Sequence, residues 1–387
     1  MAEFFAIDTK QDGLNGAIGG FLGELLEKAG LDAVLVPCKV PYKKGERIVM
    51  QTLVTDRSWL DHVDPFAPVA TSNAAKLLAS LTYEESGRKL AAVVRSCEVR
   101  AFIELVKLKQ GRLEDLILIG IDCNGRYENG DYLRYADGDD DSTINFLSAI
   151  AEGKGTKQAV DFDITEACKS CEHPVAENVD LRLCVFGDDP RERIHLEVLS
   201  EKGRGAVEPL SLSPGEEPPG RKAGVEALVK SRVEHRDQAF ARMSEVIQKP
   251  EGILEIVGNC VNCYNCRVAC PVCYCRECVF VTDTFRHPSE SYFRWSEKKG
   301  QLKMPTDTVF YHITRMLHMS ALCVGCGQCT SACPSDIPVG TLFRTVAKQT
   351  QERFGYQPGR DLAEPQPMAT FHSEELSEVT GQEAVGS

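Results

Sequence analysis

The N-terminal half of the chain alternates stretches with helical and strand-like spacing of apolar residues. Apolar side chains recur every three or four positions over 16–29, which predicts an amphipathic helix that Gly30 can end. The run DAVLVP then predicts a buried strand. The same succession follows twice more, with helices over 73–81 and 99–109 and strands over 90–94 and 116–121. Strands that alternate with helices in this way predict an α/β domain with a mostly parallel sheet.

The pattern weakens after residue 121, and helical spacing dominates later in the chain. A segment rich in Gly and Pro, SPGEEPPGRK, predicts a linker, and residues 225–248 then predict a long amphipathic helix. Further helices are predicted near 308–317 and after Cys333. We therefore divide the chain into an α/β domain over 1–212, a linker over 213–222, a helix-rich domain over 223–357 and a flexible tail over 358–387, which is rich in Pro, Glu and Ser.

Composition narrows the class of protein. The chain has 387 residues, 43% of them hydrophobic, and no apolar run approaches the roughly 20 residues of a membrane-spanning helix. Its start has no secretory pattern, so 17 cysteines point to metal ligands in a reducing cytoplasm rather than to disulfides. A net charge of −13 argues against nucleic-acid binding, and we expect no direct membrane insertion.

One cysteine signature is written twice in the C-terminal half, each time followed by proline. This Cys-x-x-Cys-x-x-Cys-x-x-x-Cys-Pro run is typical of proteins with two 4Fe-4S clusters, in which the fourth cysteine of each run ligates the other run's cluster. We expect one cluster on Cys260, Cys263, Cys266 and Cys333, and the other on Cys323, Cys326, Cys329 and Cys270. Two such clusters predict the transfer of single electrons, and the domain resembles a two-cluster ferredoxin.

Structural zinc is the alternative for cysteine pairs. Zinc sites take two pairs of ligands separated by a loop, whereas each run here is a triplet at three-residue spacing with a distal Cys-Pro. The spacing therefore favours iron–sulfur clusters over a zinc-dependent regulatory protein.

Four further cysteines lie where an α/β domain tends to build a site. Cys97 and Cys123 each follow a predicted strand, and in open α/β sheets ligands bind at the carboxyl ends of the strands. A pair, Cys168-x-x-Cys171, comes from a loop. Together the four could hold a third 4Fe-4S cluster. Alternatively, Cys97 and Cys123 are small buried hydrophobic residues, and the spacing alone does not decide between the two.

Several segments of the first half recur in a known family in the same order. These are GAIGGFLGELLEKAGLDAVLV, VVRSCEVRAFIEL, LIGIDCNG, and ACKSC before VDLRLCVFG. Over roughly residues 10–190 the chain resembles the coenzyme F-420 hydrogenase/dehydrogenase beta-subunit family. The resemblance implies FAD beside a 4Fe-4S cluster on Cys97, Cys123, Cys168 and Cys171, exchanging electrons with a deazaflavin or similar hydride carrier. Two features depart from the family: Arg95-Ser96 precedes Cys97 where a Gly- and Pro-containing turn is usual, and the ferredoxin-like module is C-terminal.

A flavin would need a site for its pyrophosphate. Gly16, Gly19 and Gly20 could let backbone amides approach a phosphate, although a glycine-rich packing surface explains them better. Ser72 and Asn73 either contact a cofactor or cap the helix that follows. Arg95, like Arg100 on the other side of Cys97, either places positive charge near a flavin or forms ordinary ion pairs.

The sequence therefore predicts an oxidoreductase subunit. Its partners would be subunits of a redox complex, such as a formate dehydrogenase, a hydrogenase or heterodisulfide-reductase-like subunits, with a deazaflavin, NAD or ferredoxin as carrier. The alternative is a flavin-free iron–sulfur conduit without a reaction of its own. Cys273, Cys275 and Cys278 exceed what the clusters need, and their role stays open.

Overall fold

The computed structural model describes residues 3–40, 48–157, 163–275 and 277–367. Its N-terminal part is built on one sheet of eight strands in the order β3-β2-β4-β5-β6-β7-β1-β8. The strands are β1 (Glu3–Asp8), β2 (Ala33–Lys39), β3 (Val49–Val54), β4 (Leu90–Arg95), β5 (Leu116–Ile121), β6 (Leu181–Cys184), β7 (Arg193–Val198) and β8 (Ser213–Gly215).

Helices flank the sheet and make up most of the C-terminal part. The described helices are α1 (Gly13–Lys28), α2 (Ala75–Thr82), α3 (Ser96–Lys107), α4 (Asn129–Tyr135), α5 (Ser142–Ala151), α6 (Glu166–Lys169), α7 (Glu201–Val207), α8 (Arg221–Ile247), α9 (Gly252–Val257), α10 (Asn265–Ala269), α11 (Ser289–Lys299), α12 (Thr308–Met319), α13 (Gln328–Ser331) and α14 (Val339–Phe354). The long elements predicted from apolar spacing are confirmed: α1, α2, α3, α8, α12 and α14, with β2, β4 and β5.

The sheet is mixed, so the prediction of a mostly parallel sheet is wrong. Strands β2, β4, β5 and β6 run parallel to one another. Strand β3 pairs antiparallel with β2, and β7, β1 and β8 extend the other side with antiparallel pairings. The apolar pattern correctly gave the central parallel strands. It could not give the outer strands, because their direction depends on pairing between residues far apart in sequence.

The two faces of the sheet bury different partners. On one face the core includes Ile18 and Leu22 of α1 and Phe146 of α5. On the other face α2 and α3 pack against the sheet, and residues of the C-terminal helices, such as Tyr311 and Leu342, join the same apolar core. The C-terminal helices are therefore held directly against the α2–α3 face.

Parts of the predicted linker and tail belong to this body. Strand β8 uses the first residues of the predicted linker and pairs with β1. At the other end, residues 358–366 lie along α3, where the buried carboxylate of Glu104 accepts hydrogen bonds from the Gly359 N–H (2.7 Å) and the Gln366 side chain (2.7 Å). Where the sequence predicts the start of a flexible tail, residues 358–366 are hydrogen-bonded to Glu104 of α3. Residues 368–387 of the predicted tail lie outside the described residues.

Across the described ranges, no helix is both long and apolar enough to cross a membrane.

Candidate metal centres

The first cysteine run is folded against α12. Its loop turns sharply, with Asn262 and Tyr264 in the left-handed region (φ 49° and 62°). Helix α12 presents polar groups to two of the sulfurs: Tyr311 Oη lies 3.3 Å from Cys266 Sγ, and His312 Nε2 lies 3.4 Å from Cys260 Sγ. Cys263 is exposed at the surface. This run is therefore supported by side chains from one side and open to solvent at Cys263.

The two runs exchange their fourth cysteines in space. Burial, together with the neighbouring charges of Cys270 and Cys323, raises the pKa of the Cys326 thiol to about 12. The pKa of Cys329 is also raised well above its usual value by burial and then by Cys270, Cys326 and Cys323. Cys270 thus lies with three cysteines of the second run. These are the four cysteines that the sequence predicts for one cluster.

The reciprocal grouping holds at the first run. Burial raises the pKa of Cys260, and the charges of Cys266 and Cys333 raise it further, while the N–H of Asn262 lowers it. Cys333 therefore lies beside the first run, although it belongs to the second. That these eight residues are cluster ligands stays a prediction, and their grouping agrees with it.

A repeated backbone contact supplies hydrogen-bond donors to the cysteine sulfurs. At five cysteines the N–H of the residue two positions later donates to the sulfur and lowers its pKa, against the burial that raises it; the donors are Gly125, Asn262, Val272, Gly325 and Gln328, for Cys123, Cys260, Cys270, Cys323 and Cys326. For Cys260 the N···S distance is 3.4 Å. Thiolates are the form that binds iron, and N–H···S bonds stabilise them. The residues therefore fit iron–sulfur clusters.

The four upstream cysteines are brought together at the carboxyl edge of the parallel strands. Cys97 lies in the first turn of α3, directly after β4, and Cys123 follows β5. Burial raises the pKa of Cys97 well above its usual value, and Cys123 and Cys171 contribute to that rise. Burial also raises the pKa of Cys123 to about 11, with a contribution from Cys168. The sheet thus assembles one group from three segments, which we call the upstream group (Cys97, Cys123, Cys168, Cys171).

The upstream group borders the second run. Cys326 is close enough to Cys97 to raise its pKa. Gly327, in the left-handed region (φ +74°), lies against Ala167, whose Cβ would be only 2.4 Å from a Cβ at position 327. Arg344 of α14 donates to the Ser170 carbonyl at 2.7 Å. The upstream group and the two runs therefore follow one another without an intervening domain.

The residues proposed for a flavin are used in packing and capping. A Cβ at Gly19 would lie 2.4 Å from the Leu60 carbonyl oxygen, so α1 packs here against the turn Arg57–His62. Gly16 faces Asp12, and Gly20 is exposed with nothing beside it. These contacts match the packing alternative for the three glycines and do not favour a phosphate at this helix.

The polar candidates have local partners as well. The Asn73 carboxamide oxygen accepts from the Ala75 N–H at 3.0 Å, as in a helix cap, and Ser72 is exposed. The Arg95 guanidinium is buried and donates to the carbonyls of Ala67 (3.0 Å) and Val69 (2.7 Å). Arg95 therefore holds the loop of Ala67 and Val69, and its ion pair with Glu98 (3.9 Å) is buried rather than at the surface.

The surplus cysteines lie near the first run. Burial raises the pKa of Cys273 to about 11, with further contributions from Cys270 and Cys275. Cys278 is close enough to Tyr264 to raise the pKa of that phenol, after burial and Asp307. None of these contacts assigns them a role.

Buried cations between the cysteine groups are the feature that sequence reasoning missed. Arg315 lies between the two runs, and Arg344 lies between the second run and the upstream group. Lys76 of α2 donates to the Val268 carbonyl at 2.9 Å and is near Cys270 and Cys273. No motif marks them in the sequence, because each is far along the chain from the sulfurs that it faces.

Known proteins are similar in sequence to both halves of the chain. Residues 255–337 match the family model described as a 4Fe-4S dicluster domain. The C-terminal part therefore carries two 4Fe-4S clusters, and the zinc alternative is wrong. Among curated proteins, the F420-dependent formate dehydrogenase subunit beta of Methanocaldococcus jannaschii is 26% identical over 376 residues, covering 90% of this chain and 93% of the relative.

The resemblance inferred from the sequence is confirmed. A second beta subunit, of F420-dependent formate dehydrogenase 1 from Methanococcus maripaludis, is 25% identical over 380 residues, covering 90% of this chain and 92% of the relative. A solved chain of the F420-reducing [NiFe] hydrogenase complex from Methanosarcina barkeri aligns with a TM-score of 0.45 and 12% identity, covering 64% of this chain and 94% of that one. By its dicluster domain, the chain is an iron–sulfur electron-transfer protein with two 4Fe-4S clusters.

Proposed function

We propose that this chain is the electron-transfer subunit of a redox complex of the F420-dependent formate dehydrogenase type. It would connect a deazaflavin hydride carrier with a partner that oxidises formate. The support is the similarity to two beta subunits of that type over 90% of the chain. Formate dehydrogenase is favoured over hydrogenase or heterodisulfide-reductase-like partners because both curated relatives bear that name.

The observation that carries the proposal is the contact between the upstream group and the second run. Cys326 is close enough to Cys97 to raise its pKa, and Gly327 contacts the segment that holds Cys168. A third 4Fe-4S cluster on the upstream group would therefore have its neighbour in the dicluster domain. Three adjoining sites form a path for electrons through the chain.

The residues around the cysteines can stabilise negative charge along this path. Clusters, when bound, supply single-electron transfer between neighbouring iron centres. Backbone N–H groups donate to five of the sulfurs, and most of the cysteines in the three groups are half-buried. Arg95 and Arg232 face Cys123 and lower its pKa against the effect of burial. Each site thus pairs anionic sulfur with donors or cations.

A small cleft beside the upstream group is where we place the approach of the hydride carrier. Its volume is about 210 Å³, and it is lined by Asn124 just after Cys123, by Phe186 and Gly187 after β6, and by Gly224 and Leu228 of α8. It lies at the carboxyl ends of β5 and β6, where open α/β sheets bind ligands. The lining is mostly apolar, as suits a flat aromatic ring system.

Gly224 offers a direct test of that cleft. A Cβ at Gly224 meets nothing within 4 Å, so Gly224→Phe would fill the cleft without a backbone clash. We expect the variant to raise the KM for a reduced deazaflavin at least severalfold while it keeps its iron. The matched control is Gly205→Phe on α7, which is also exposed and open but lies outside the cleft. Equal rates in the two variants would place the carrier elsewhere.

FAD enters the proposal only through the family resemblance. The residue contacts described above do not favour the predicted phosphate site, so we derive no step through a flavin. This leaves a flavin-free conduit as the second candidate. Acid precipitation of the anaerobically purified chain distinguishes them, because a flavoprotein releases yellow cofactor and a conduit releases none.

The proposal as a whole is tested by iron content and reduction together. Two clusters predict about eight iron atoms per chain and three predict about twelve. With twelve iron atoms, reduced deazaflavin should bleach the brown absorbance, and addition of the formate-oxidising partner with formate should do the same. Eight iron atoms, or no bleaching by either donor in the assembled complex, would refute the relay.

A further inference from the structure

Arg315 is a buried cation held against a cysteine sulfur. Its side chain lies on α12 and is 3% exposed. Its Nη1 donates to Cys266 Sγ at 3.0 Å, and its Nη2 donates to the Cys266 carbonyl at 3.1 Å. The guanidinium lies over the ring of Phe343, 4.8 Å from its centroid. The two hydrogen bonds and the ring fix its position.

The charges around Arg315 are sulfurs rather than carboxylates. Among the described residues no Asp or Glu forms an ion pair with it. The negative charges of Cys266, Cys270 and Cys329 instead raise the pKa of Arg315. Cys270 and Cys329 belong to the second cluster site, and Cys266 belongs to the first. A buried charge without a partner is strongly destabilising, so the anionic sulfurs of both sites are what balances it.

The cation at the other junction is different. Arg344, between the second run and the upstream group, pairs with the carboxylate of Glu172. Glu172 also pairs with Arg236 (3.3 Å), so this carboxylate balances part of the charge of Arg344 before it acts on Cys171 or Cys323. Arg315 has no such carboxylate, so its field reaches the sulfurs of both runs.

We propose that Arg315 sets the order of reduction potentials in the dicluster domain, making the cluster on Cys260, Cys263, Cys266 and Cys333 the easier of the two to reduce. This inference rests on the proposed function only in that electrons pass through these sites. A positive charge and an N–H···S bond each stabilise the reduced, more negative form of a cluster. Arg315 makes direct contact with the first site alone, so the first site is raised more.

The consequence is a direction within the chain. Electrons that reach the second cluster from the upstream group would settle on the first cluster, whose ligand Cys263 is exposed at the surface. Arg315 therefore directs electrons to the first cluster. That cluster is the end of the electron path and faces a partner.

The test is a redox titration of the anaerobically purified full chain, followed by electron paramagnetic resonance with chemical reductants. We expect Arg315→Gln to lower the ratio of reduced to oxidised first cluster about tenfold at a given potential, which is about 59 mV for one electron. Arg315→Lys keeps the charge and should recover most of the shift. Lys298→Gln removes an equal charge from the exposed end of α11 and should leave the titration unchanged.

Each outcome decides the inference. Unchanged potentials in Arg315→Gln with full iron content would overturn it, and so would an equal fall in both Arg315 variants. If Arg315→Gln loses iron, Arg315→Lys becomes the deciding variant: wild-type potentials support the inference, and loss of the same cluster overturns it in favour of a purely structural role. Chemical reductants need no hydride carrier, so a failed carrier reaction would refute the proposed function and leave this measurement intact.

Discussion

The dicluster domain and the upstream group hold the same kind of side chain in opposite ways. Each run of the dicluster domain places three cysteines within seven residues, so one short loop surrounds a cluster. The upstream group takes Cys97 and Cys123 from the ends of two parallel strands, and its remaining pair from the short helix α6 and the residues after it, more than 40 residues further along. The cysteines of each run are close together in sequence. The upstream group comes together only when the sheet has formed.

This difference predicts different weaknesses. The two runs exchange their fourth cysteines, Cys270 and Cys333, so damage to one cluster reaches the other. The upstream group shares no cysteine with the runs, but it depends on the packing of β4, β5 and α3. A change at either run should therefore cost both clusters of the dicluster domain. A change at the upstream group should cost only its own cluster, unless it unfolds the sheet.

The largest expected effect comes from removing one ligand of each design. With three clusters at about four iron atoms each, Cys168→Ser should lose about four iron atoms, because no other site uses its neighbours. Cys329→Ser should lose more than four, because Cys270 and the paired run lose their anchor with it. Iron and acid-labile sulfide analysis of the anaerobic proteins measures both.

The control is Cys184→Ser. Cys184 is buried in β6, outside the three groups, and should keep the full iron content. Equal losses from Cys168→Ser and Cys329→Ser would contradict the coupling of the two runs. An unchanged count in Cys168→Ser would remove the upstream site.

A second prediction concerns the long-range support of α3, the helix whose first turn carries Cys97. Glu104 near its other end accepts from Tyr356 (2.6 Å) and Gly359 (2.7 Å), and it pairs with the buried Lys107 (3.2 Å). Glu104→Gln leaves Lys107 without its carboxylate, which should lower the free energy of unfolding by about 3–5 kcal/mol. It should also release the segment that follows Tyr356.

Thermal unfolding and limited trypsin digestion at Arg360 report these two effects separately. Glu352→Gln is the control, because its ion pair with Lys348 is exposed and should contribute less than about 1 kcal/mol. Slow cleavage at Arg360 in Glu104→Gln would show that the segment is fixed by other contacts.

How far the sequence predicted these regions follows from the range of the interactions. The two runs were readable because their ligands are close in sequence, and α1, α3 and α14 because helical spacing is a local property. All four residues of the upstream group were proposed from the sequence, through the strand ends at Cys97 and Cys123 and the family resemblance, but the spacing alone could not decide the site, because only the fold brings Cys168 and Cys171 beside the strand ends. The antiparallel edges of the sheet were missed because pairing partners such as Glu3 and Val198 are far apart along the chain.

The buried cations could not be predicted from the sequence for the same reason. Arg315 is 49 residues from the sulfur that it contacts, and Arg344 is 172 residues from Glu172. Nothing in the local pattern separates them from solvent-facing arginines on amphipathic helices. The hydrogen bonds of residues 358–366 were missed likewise, because their acceptor Glu104 lies far away along the chain in α3.

A third prediction tests the junction between the two designs. Gly327→Ala puts a Cβ 2.4 Å from that of Ala167 at a left-handed position, so the segment holding Cys168 and the second run must separate. We expect a loss of about 2–3 kcal/mol in unfolding free energy, the sum of backbone strain and overpacking. Gly355→Ala isolates the strain, because it is also left-handed (φ +60°) and has nothing within 4 Å. It should cost about 1 kcal/mol. Equal losses from the two variants would mean that the junction tolerates separation.

The smallest expected effect concerns the glycines of α1, which lie outside the upstream group and the two runs. Substitutions there distinguish a packing role from phosphate binding. Gly19→Ala meets the Leu60 carbonyl at 2.4 Å and should lower the unfolding free energy by about 1–3 kcal/mol. Gly20→Ala meets nothing and should stabilise the helix by about 0.5–1 kcal/mol, because alanine loses less backbone entropy. If the glycines only pack, neither variant changes the flavin content, and the stability changes have opposite signs. A fall in released flavin in Gly20→Ala, without a loss of stability, would instead place a cofactor phosphate against this helix and reinstate the flavoprotein over the conduit.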